Sequence, residues 1–264
     1  MRIALGISYN GSGYQGWQSQ LSGQTIQDNL ETALSRFAAQ PVRVMCAGRT
    51  DAGVHGLMQV VHFDTDLTRE MSSWVRGTNA FLPRDIAVQW ARAVPDDFHS
   101  RASAIARRYA YVVLESVVRP SVEAGRVGWV YRPMHADAMR EAARHVMGEH
   151  DFSSFRAAQC QSKTPIKTIN RIDISVRAGE ESAYWRFEFE ANAFLHHMIR
   201  NLMGCLVAIG QGNQQPQWMG QVLAARRRSA AAPTFPPDGL YFLGPVYDQR
   251  YCLPTRTAAF DWLP

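Results

Sequence analysis

The sequence predicts an α+β fold made of two halves with the same element order, β-α-β-β-α-β, the order of a split ferredoxin-like unit. Three observations lead there. Short stretches alternate apolar and polar residues with period two, as half-buried strands do. Segments between them repeat apolar residues at spacings of three and four, as amphipathic helices do. The succession of these segments over residues 1–105 recurs over residues 106–264, although no residue-by-residue repeat is visible.

In the first half, Ile3, Leu5, Ile7 and Tyr9 alternate and predict a strand. A glycine-rich loop follows, Asn10-Gly11-Ser12-Gly13-Tyr14-Gln15-Gly16-Trp17-Gln18. It lacks the Gly-Lys-Ser/Thr of a Walker loop. Two readings of it stay open: an RNA-facing loop whose Tyr14 and Trp17 stack on bases, or a surface loop pinned by a buried Trp17. Residues 25–38 read as a helix with Ile26, Leu30, Ala33, Leu34 and Phe37 on one stripe and Thr25-x-x-Asp28 as a capping box. Residues 42–46 and 57–63 read as strands, 67–80 as a helix ending before Pro83, and 86–94 as a strand.

Residues 95–106 connect the halves. Residues 107–114 are rich in β-branched and aromatic types and read as a strand, with Tyr109 and Tyr111 on one face. After a loop-like stretch over 115–134, residues 136–147 read as a helix closed by Gly148. A long polar loop to Pro165 precedes two alternating runs, one carrying Ile172, Ile174 and Val176, the other Trp185, Phe187 and Phe189, paired about a turn at Gly179. Asn192 opens a long helix with Leu195, Met198, Ile199, Leu202, Met203 and Leu206 as its buried stripe. On such a helix the adjacent His196 and His197 diverge, which speaks against a joint metal site. Residues 217–228 read as a helix with a basic end, and 241–247 as the last strand.

Hydrophobic residues at 46% and charged residues at 19% describe an ordinary globular chain. No apolar run reaches membrane-spanning length and no signal-peptide pattern opens the sequence, so the expectation is a cytoplasmic protein with no membrane association. Cys46, Cys160, Cys205 and Cys252 are far apart and form no C-x-x-C pair, which argues for reduced thiols and against disulfides or zinc. A net charge of +5 and a pI near 9.2 fit a polyanionic partner. All but Lys163 and Lys167 of the basic residues are arginine, whose fork matches phosphate and stacks on bases. A coding sequence rich in G and C favours arginine equally, so this usage alone decides nothing.

The densest chemistry lies in Cys46-Ala47-Gly48-Arg49-Thr50-Asp51-Ala52-Gly53-Val54-His55-Gly56. The apolar runs on either side make it a connection between strands. Its three glycines imply positive φ or a close backbone approach. Asp51 is its only carboxylate, and Arg49 lies two positions away, on the same side of an extended chain. A guanidinium beside a carboxylate keeps it ionised and aimed, as a nucleophile must be. The same residues also fit a turn in which Asp51 satisfies backbone N–H groups and Arg49 pairs with it at the surface.

Wording goes further than chemistry. Gly48 to Gly56 resembles the signature of the tRNA pseudouridine synthase A family. The loop over 10–18 resembles that family's opening motif, with Asn10 where Asp is usual. Arg107-Arg108-Tyr109-Ala110-Tyr111 resembles its second motif and Asn192 to Gly204 its third. Residues 236–240 resemble its Pro-x-x-Gly-Leu loop, though Phe235-Pro236-Pro237 is an unusual form of it. The resemblance covers about residues 1–254. It implies the pseudouridine synthase fold, in which two ferredoxin-like halves share one mixed, mainly antiparallel sheet with flanking helices. The implied activity is isomerisation of uridine to pseudouridine at positions 38–40 in the anticodon stem-loop of tRNA, by a homodimer that uses no cofactor or metal. The implied site residues are Asp51 as nucleophile, Arg49 beside it, Tyr109 as the uracil-contacting tyrosine and Arg200 as an active-site arginine, with Tyr111 structural. Two competing readings are a non-catalytic RNA-binding module of the RRM kind and an inactive relative used as an RNA chaperone. The first has no need of Arg49-x-Asp51 in a glycine-rich loop; Asn10 and Pro236-Pro237 speak for the second.

Overall fold

The structure, a computed structural model, describes residues 1–255. In chain order these form β1 (Arg2–Tyr9), α1 (Ile26–Ala38), β2 (Met45–Cys46), β3 (His55–Asp64), α2 (Met71–Asn79) and β4 (Ile86–Val94). There follow β5 (Ala104–Ser116), β6 (Gly128–Val130), α3 (Ala136–Arg144), β7 (Gly148–Asp151), β8 (Ile166–Ala178) and β9 (Ser182–Ala191). Then come α4 (Met198–Gly210), α5 (Trp218–Ala225) and β10 (Leu240–Tyr247). The fold is α+β with mixed strand pairing, and it divides into two compact units. Among the described residues, one holds Met1–Arg108 and Tyr241–Thr255; the other holds Tyr109–Leu240.

In the first unit the strand order is β4-β1-β3-β10, with β2 beside β3. β1 pairs antiparallel with β3 and β4, and β10 runs parallel to β3. The alternation of β1 sorts its side chains between two faces. Ile3, Leu5 and Ile7 are fully buried in a cluster with Leu30 and Leu34 of α1, Trp74 of α2 and Val61 of β3. Ala4 faces a second cluster containing Met58, Val60, Trp90 and Phe98. Burial of each such aliphatic side chain is worth about 1.5–3 kcal/mol. α1 starts as its capping box predicts, with the Thr25 hydroxyl accepting the Asp28 N–H at 3.2 Å. The strand expected over 42–46 is shorter. Val42 and Val44 are buried, but their N–H groups donate to side chains of α1, Ser35 at 2.9 Å and Glu31 at 3.0 Å, so only Met45–Cys46 pairs as a strand. α2 likewise begins at Met71, four residues later than its periodicity suggests.

His62, on β3, is buried, and its Nδ1 accepts the Ser100 N–H at 3.2 Å. Burial first, then the positive charge of His99 and Arg2, lowers its pKa from the ordinary 6.5 to about 4. The unfolded chain therefore takes up this proton before the folded one does. The contribution to stability is complete above pH 6.5 and is lost as pH falls toward 4. The melting temperature of the protein is expected to drop more steeply between pH 7 and 4 than that of His62→Asn; parallel slopes would remove His62 as the cause.

The second unit orders its strands β5-β9-β8-β7, with β6 parallel to β5. The β8–β9 hairpin sets Ile174 opposite Phe187 and Val176 opposite Trp185, so the two alternating runs meet in register. α4 is buried along the predicted stripe from Met198 to Leu206, and Asn201 is buried with it. This helix begins at Met198 rather than near Asn192, because His197 adopts a left-handed φ of 60°. The divergence expected of His196 and His197 fails for that reason: both precede the helix, and their rings lie 4.1 Å apart. The stretch read as loop before residue 134 contains β6. α3 ends at Arg144, and Gly148, at φ 88°, opens β7 instead of closing the helix.

Candidate active site

The connection from β2 to β3 is held from within the first unit at Ala47, Gly48, Thr50 and the turn from Asp51 to Val54. Ala47 donates its N–H to Val60 at 2.9 Å. The fully buried Gln59 amide accepts the Gly48 N–H at 3.3 Å and donates back to the Gly48 carbonyl, so it pairs as a second peptide would. Thr50 Oγ1 lies 2.8 Å from the Tyr9 hydroxyl, and the Thr50 carbonyl accepts the Trp17 N–H at 3.0 Å. The Val54 N–H donates to the Asp51 carbonyl at 3.1 Å, closing a turn whose third residue, Gly53, has φ 80°. Gly56 answers to the other glycine requirement: a Cβ there would stand 2.4 Å from the Tyr9 ring.

The glycine-rich loop after β1 packs on this connection. Gly11 donates its N–H to His55 Nδ1 at 3.1 Å, and a Cβ at Gly11 would stand 2.0 Å from the Val54 carbonyl oxygen. Gly16, at φ 87°, would place a Cβ 2.8 Å from the Thr50 carbonyl oxygen. Trp17 is buried and Tyr14 donates its hydroxyl to Asp85 at 2.6 Å. Trp17 thus sits buried as the pinned reading expects, while Tyr14 keeps part of its ring exposed. Asn10 accepts the Ser12 N–H at 3.1 Å through its side-chain oxygen, a turn contact that Asn and Asp make alike.

These contacts sort the reactive side chains of the stretch. Burial pushes the Cys46 thiol up to about 11, with Arg49 and Arg101 opposing, so it is protonated at neutral pH. The Thr50 hydroxyl is engaged with Tyr9. His55 is buried, accepts from Gly11 and stacks on Tyr241 with centroids 4.6 Å apart. Asp51 is half-buried and Arg49 exposed. Arg49 and Asp51 are thus the two charged residues of the loop that reach the surface, alternating with Gly48 and Thr50, which are tied inward.

In the second unit, Tyr109 is buried on β5 with its ring edge-to-face against Phe194, centroids 5.3 Å apart. Phe194 was not singled out by sequence; its position before α4, among apolar neighbours, disguises it as one more stripe residue. Tyr111 is structural. It is fully buried, its hydroxyl donates to the Pro236 carbonyl, and its ring meets Phe235 edge-on at 5.6 Å. Arg200, half-buried in the first turn of α4, donates from Nε to the Phe235 carbonyl at 2.9 Å, and Phe235 returns its N–H to the Arg200 carbonyl at 3.1 Å. The unusual Phe235-Pro236-Pro237 run is therefore built into the unit through its carbonyls. The three arginines after α5 are not equivalent. Arg226, whose left-handed φ ends the helix, lies 3.6 Å from Asp151, and Arg227 is exposed. Arg228 donates to Thr234 at 3.0 Å, Thr234 donates to the buried Asn201 at 2.7 Å, and Asn201 donates to the Phe155 carbonyl at 2.8 Å.

Comparison with known proteins agrees with what the loop and its surroundings suggest. A family model described as tRNA pseudouridine synthase matches residues 7–101 and 142–248. The chain is 81% identical over 264 residues to the tRNA pseudouridine synthase A of Polaromonas naphthalenivorans (strain CJ2), covering all of both chains. It is 78% identical to that of Polaromonas sp. (strain JS666 / ATCC BAA-500) and 67% identical, over 282 aligned positions, to that of Delftia acidovorans (strain DSM 14801 / SPH-1), again over the full length of each. No helix among the described residues is long and apolar enough to cross a membrane. The chain belongs to the tRNA pseudouridine synthase A family, isomerases that convert uridine to pseudouridine in tRNA.

Proposed function

We propose that the chain acts on uridines 38–40 in the anticodon stem-loop of tRNA, with Asp51 as its nucleophile. The observation that carries the nucleophile is the sorting of the loop: Cys46 is held as a thiol, Thr50 and His55 are engaged inward, and Asp51 reaches the surface beside Arg49 in sequence. Conversion of uridine to pseudouridine breaks N1–C1′, turns the base and joins C5 to C1′, with the C5 proton leaving to solvent and one proton taken up at N1. Atoms balance within the nucleoside, so neither a redox equivalent nor a phosphate donor is consumed. A carboxylate acts on such a centre as in retaining glycosidases, at or near the anomeric carbon. Addition of Asp51 to C1′, its addition to C6, and abstraction of the 2′ proton all require it to start ionised. The base must leave its stack at a cost of a few kcal/mol, and an aromatic contact at Tyr109 recovers about 1–3 kcal/mol. Arg200 serves turnover, and the enzyme works as a cytoplasmic homodimer.

Tritium release from C5-labelled uridine in unmodified tRNA tests this. Release is expected in step with pseudouridine formed, and it should fall to background when uridines 38, 39 and 40 are replaced by cytidine. Undiminished release from that substituted tRNA would overturn the positional assignment.

Binding is spread over phosphates and should weaken with salt. Arg226 and Arg227 are the exposed members of the basic segment, whereas Arg228 bonds inward. Arg226→Ala/Arg227→Ala is expected to weaken tRNA binding and lower the slope of log affinity against log salt by about 1–2. An unchanged slope in a filter-binding salt series would make this segment a solvated face.

A further inference from the structure

Two buried polar side chains that take no part in the reaction converge on the Asp51 loop. Gln59 sits inside β3, fully buried, at a position where an apolar side chain would cost nothing to desolvate. Its amide is instead spent on both backbone groups of Gly48. The Tyr9 hydroxyl, buried at the end of β1, meets Thr50 Oγ1 at 2.8 Å. Burial also raises the Tyr9 pKa, so the group is a neutral hydroxyl throughout the working range.

We propose that Tyr9 and Gln59 are positioning residues, a buried clamp that fixes Gly48 and Thr50 and thereby aims Arg49 and Asp51. The proposal rests on the assignment of Asp51 as nucleophile. In an extended chain successive side chains point to opposite sides. Holding residues 48 and 50 inward therefore presents residues 49 and 51 outward. Thr50 is fixed at two points, its hydroxyl by Tyr9 and its carbonyl by the Trp17 N–H, while the turn from Asp51 to Val54 fixes the chain on the far side. Asp51 lies between these two restraints. Releasing the Thr50 hydroxyl leaves the strands and the core intact and loosens the loop at the residue next to the nucleophile.

The test compares single-turnover pseudouridine formation at saturating tRNA in Tyr9→Phe, Thr50→Val, their double variant, Thr50→Ser and Asp51→Asn, beside tRNA affinity and melting temperature. Tyr9→Phe and Thr50→Val are each expected to lose roughly 10- to 100-fold in rate, with affinity within about twofold of the parent. The double variant should be no slower than the slower single one, since both remove the same bond. Thr50→Ser keeps the hydroxyl and should retain most of the rate. A merely structural bond would lower the melting temperature and leave the rate of the folded enzyme unchanged. Parental rates in Tyr9→Phe and Thr50→Val, with Asp51→Asn inactive, overturn the clamp and leave Asp51 standing. An active Asp51→Asn overturns the nucleophile and the clamp together. Should Tyr9→Phe fail to fold, Thr50→Val against Thr50→Ser decides the question alone.

Discussion

Asp51→Asn is expected to abolish pseudouridine formation while leaving tRNA affinity and melting temperature near those of the parent enzyme. The amide keeps the size of the side chain and much of its hydrogen-bonding capacity, and removes the negative charge. Were Asp51 only a turn residue, its loss would cost about 1 kcal/mol, the worth of a typical capping bond, and the enzyme would still turn over. Its turn is closed by main-chain groups, the Asp51 carbonyl and the Val54 N–H, with Gly53 supplying the positive φ. Binding should survive because it is distributed over many phosphate contacts. Product from unmodified tRNA, measured under single-turnover conditions beside a filter-binding titration, separates the cases. Activity within about tenfold of the parent, roughly 1.4 kcal/mol in barrier, would sink the assignment.

Gly11→Ala should be the most damaging small substitution in the loop after β1. Its Cβ would stand 2.0 Å from the Val54 carbonyl oxygen and 2.6 Å from the carbonyl carbon. Both are backbone atoms, which cannot swing aside as the end of a long side chain can. Overpacking of this kind costs about 1–3 kcal/mol. The displaced segment is the end of the Asp51 loop, so the rate at saturating tRNA should fall along with stability. Gly13→Ala is the matched control, two residues away with nothing within 4 Å of the added carbon, and should change stability by no more than about 0.5 kcal/mol. Equal melting temperatures for the two variants would mean that the loop does not rest on Val54 in solution.

The local part of this fold was legible and the long-range part was not. β4 and the α1 stripe follow from periodicity, and Thr25 marks the start of α1 because a cap is a contact between residues three apart. β6 and β7 are too short to show a period. The failure at 42–46 is of another kind: its alternation is real, and Val42 and Val44 are buried, but Ser35 and Glu31 took the place of a strand partner. The late start of α4 turns on the backbone of His197, a left-handed conformation that no apolar pattern encodes. At the site, Arg49-x-Asp51 is a local pattern and could be read. The contacts that hold it, Tyr9 to Thr50 and Gly11 to His55, join residues 41 and 44 positions apart and leave no mark on either segment alone. In the same way, Gly11 and Gly16 make room for the backbone of a neighbouring loop, a requirement invisible in either segment alone.

The return of β10 to the first unit bears on how the molecule is made. Tyr241 and Phe242 run parallel to His55 and Gly56, and Tyr241 is the ring on which His55 stacks. A ribosome has to synthesise all of Tyr109–Leu240 before this partner exists. The second unit is continuous in the chain, whereas the first takes a strand from beyond residue 240. Contacts of such separation form late, because the loop they close must be ordered before they reward it. The support beneath His55, at the end of the Asp51 loop, therefore comes from a segment made after the whole of the second unit. A nascent or truncated chain that stops short of residue 241 carries every side chain of that loop and lacks the strand that finishes it.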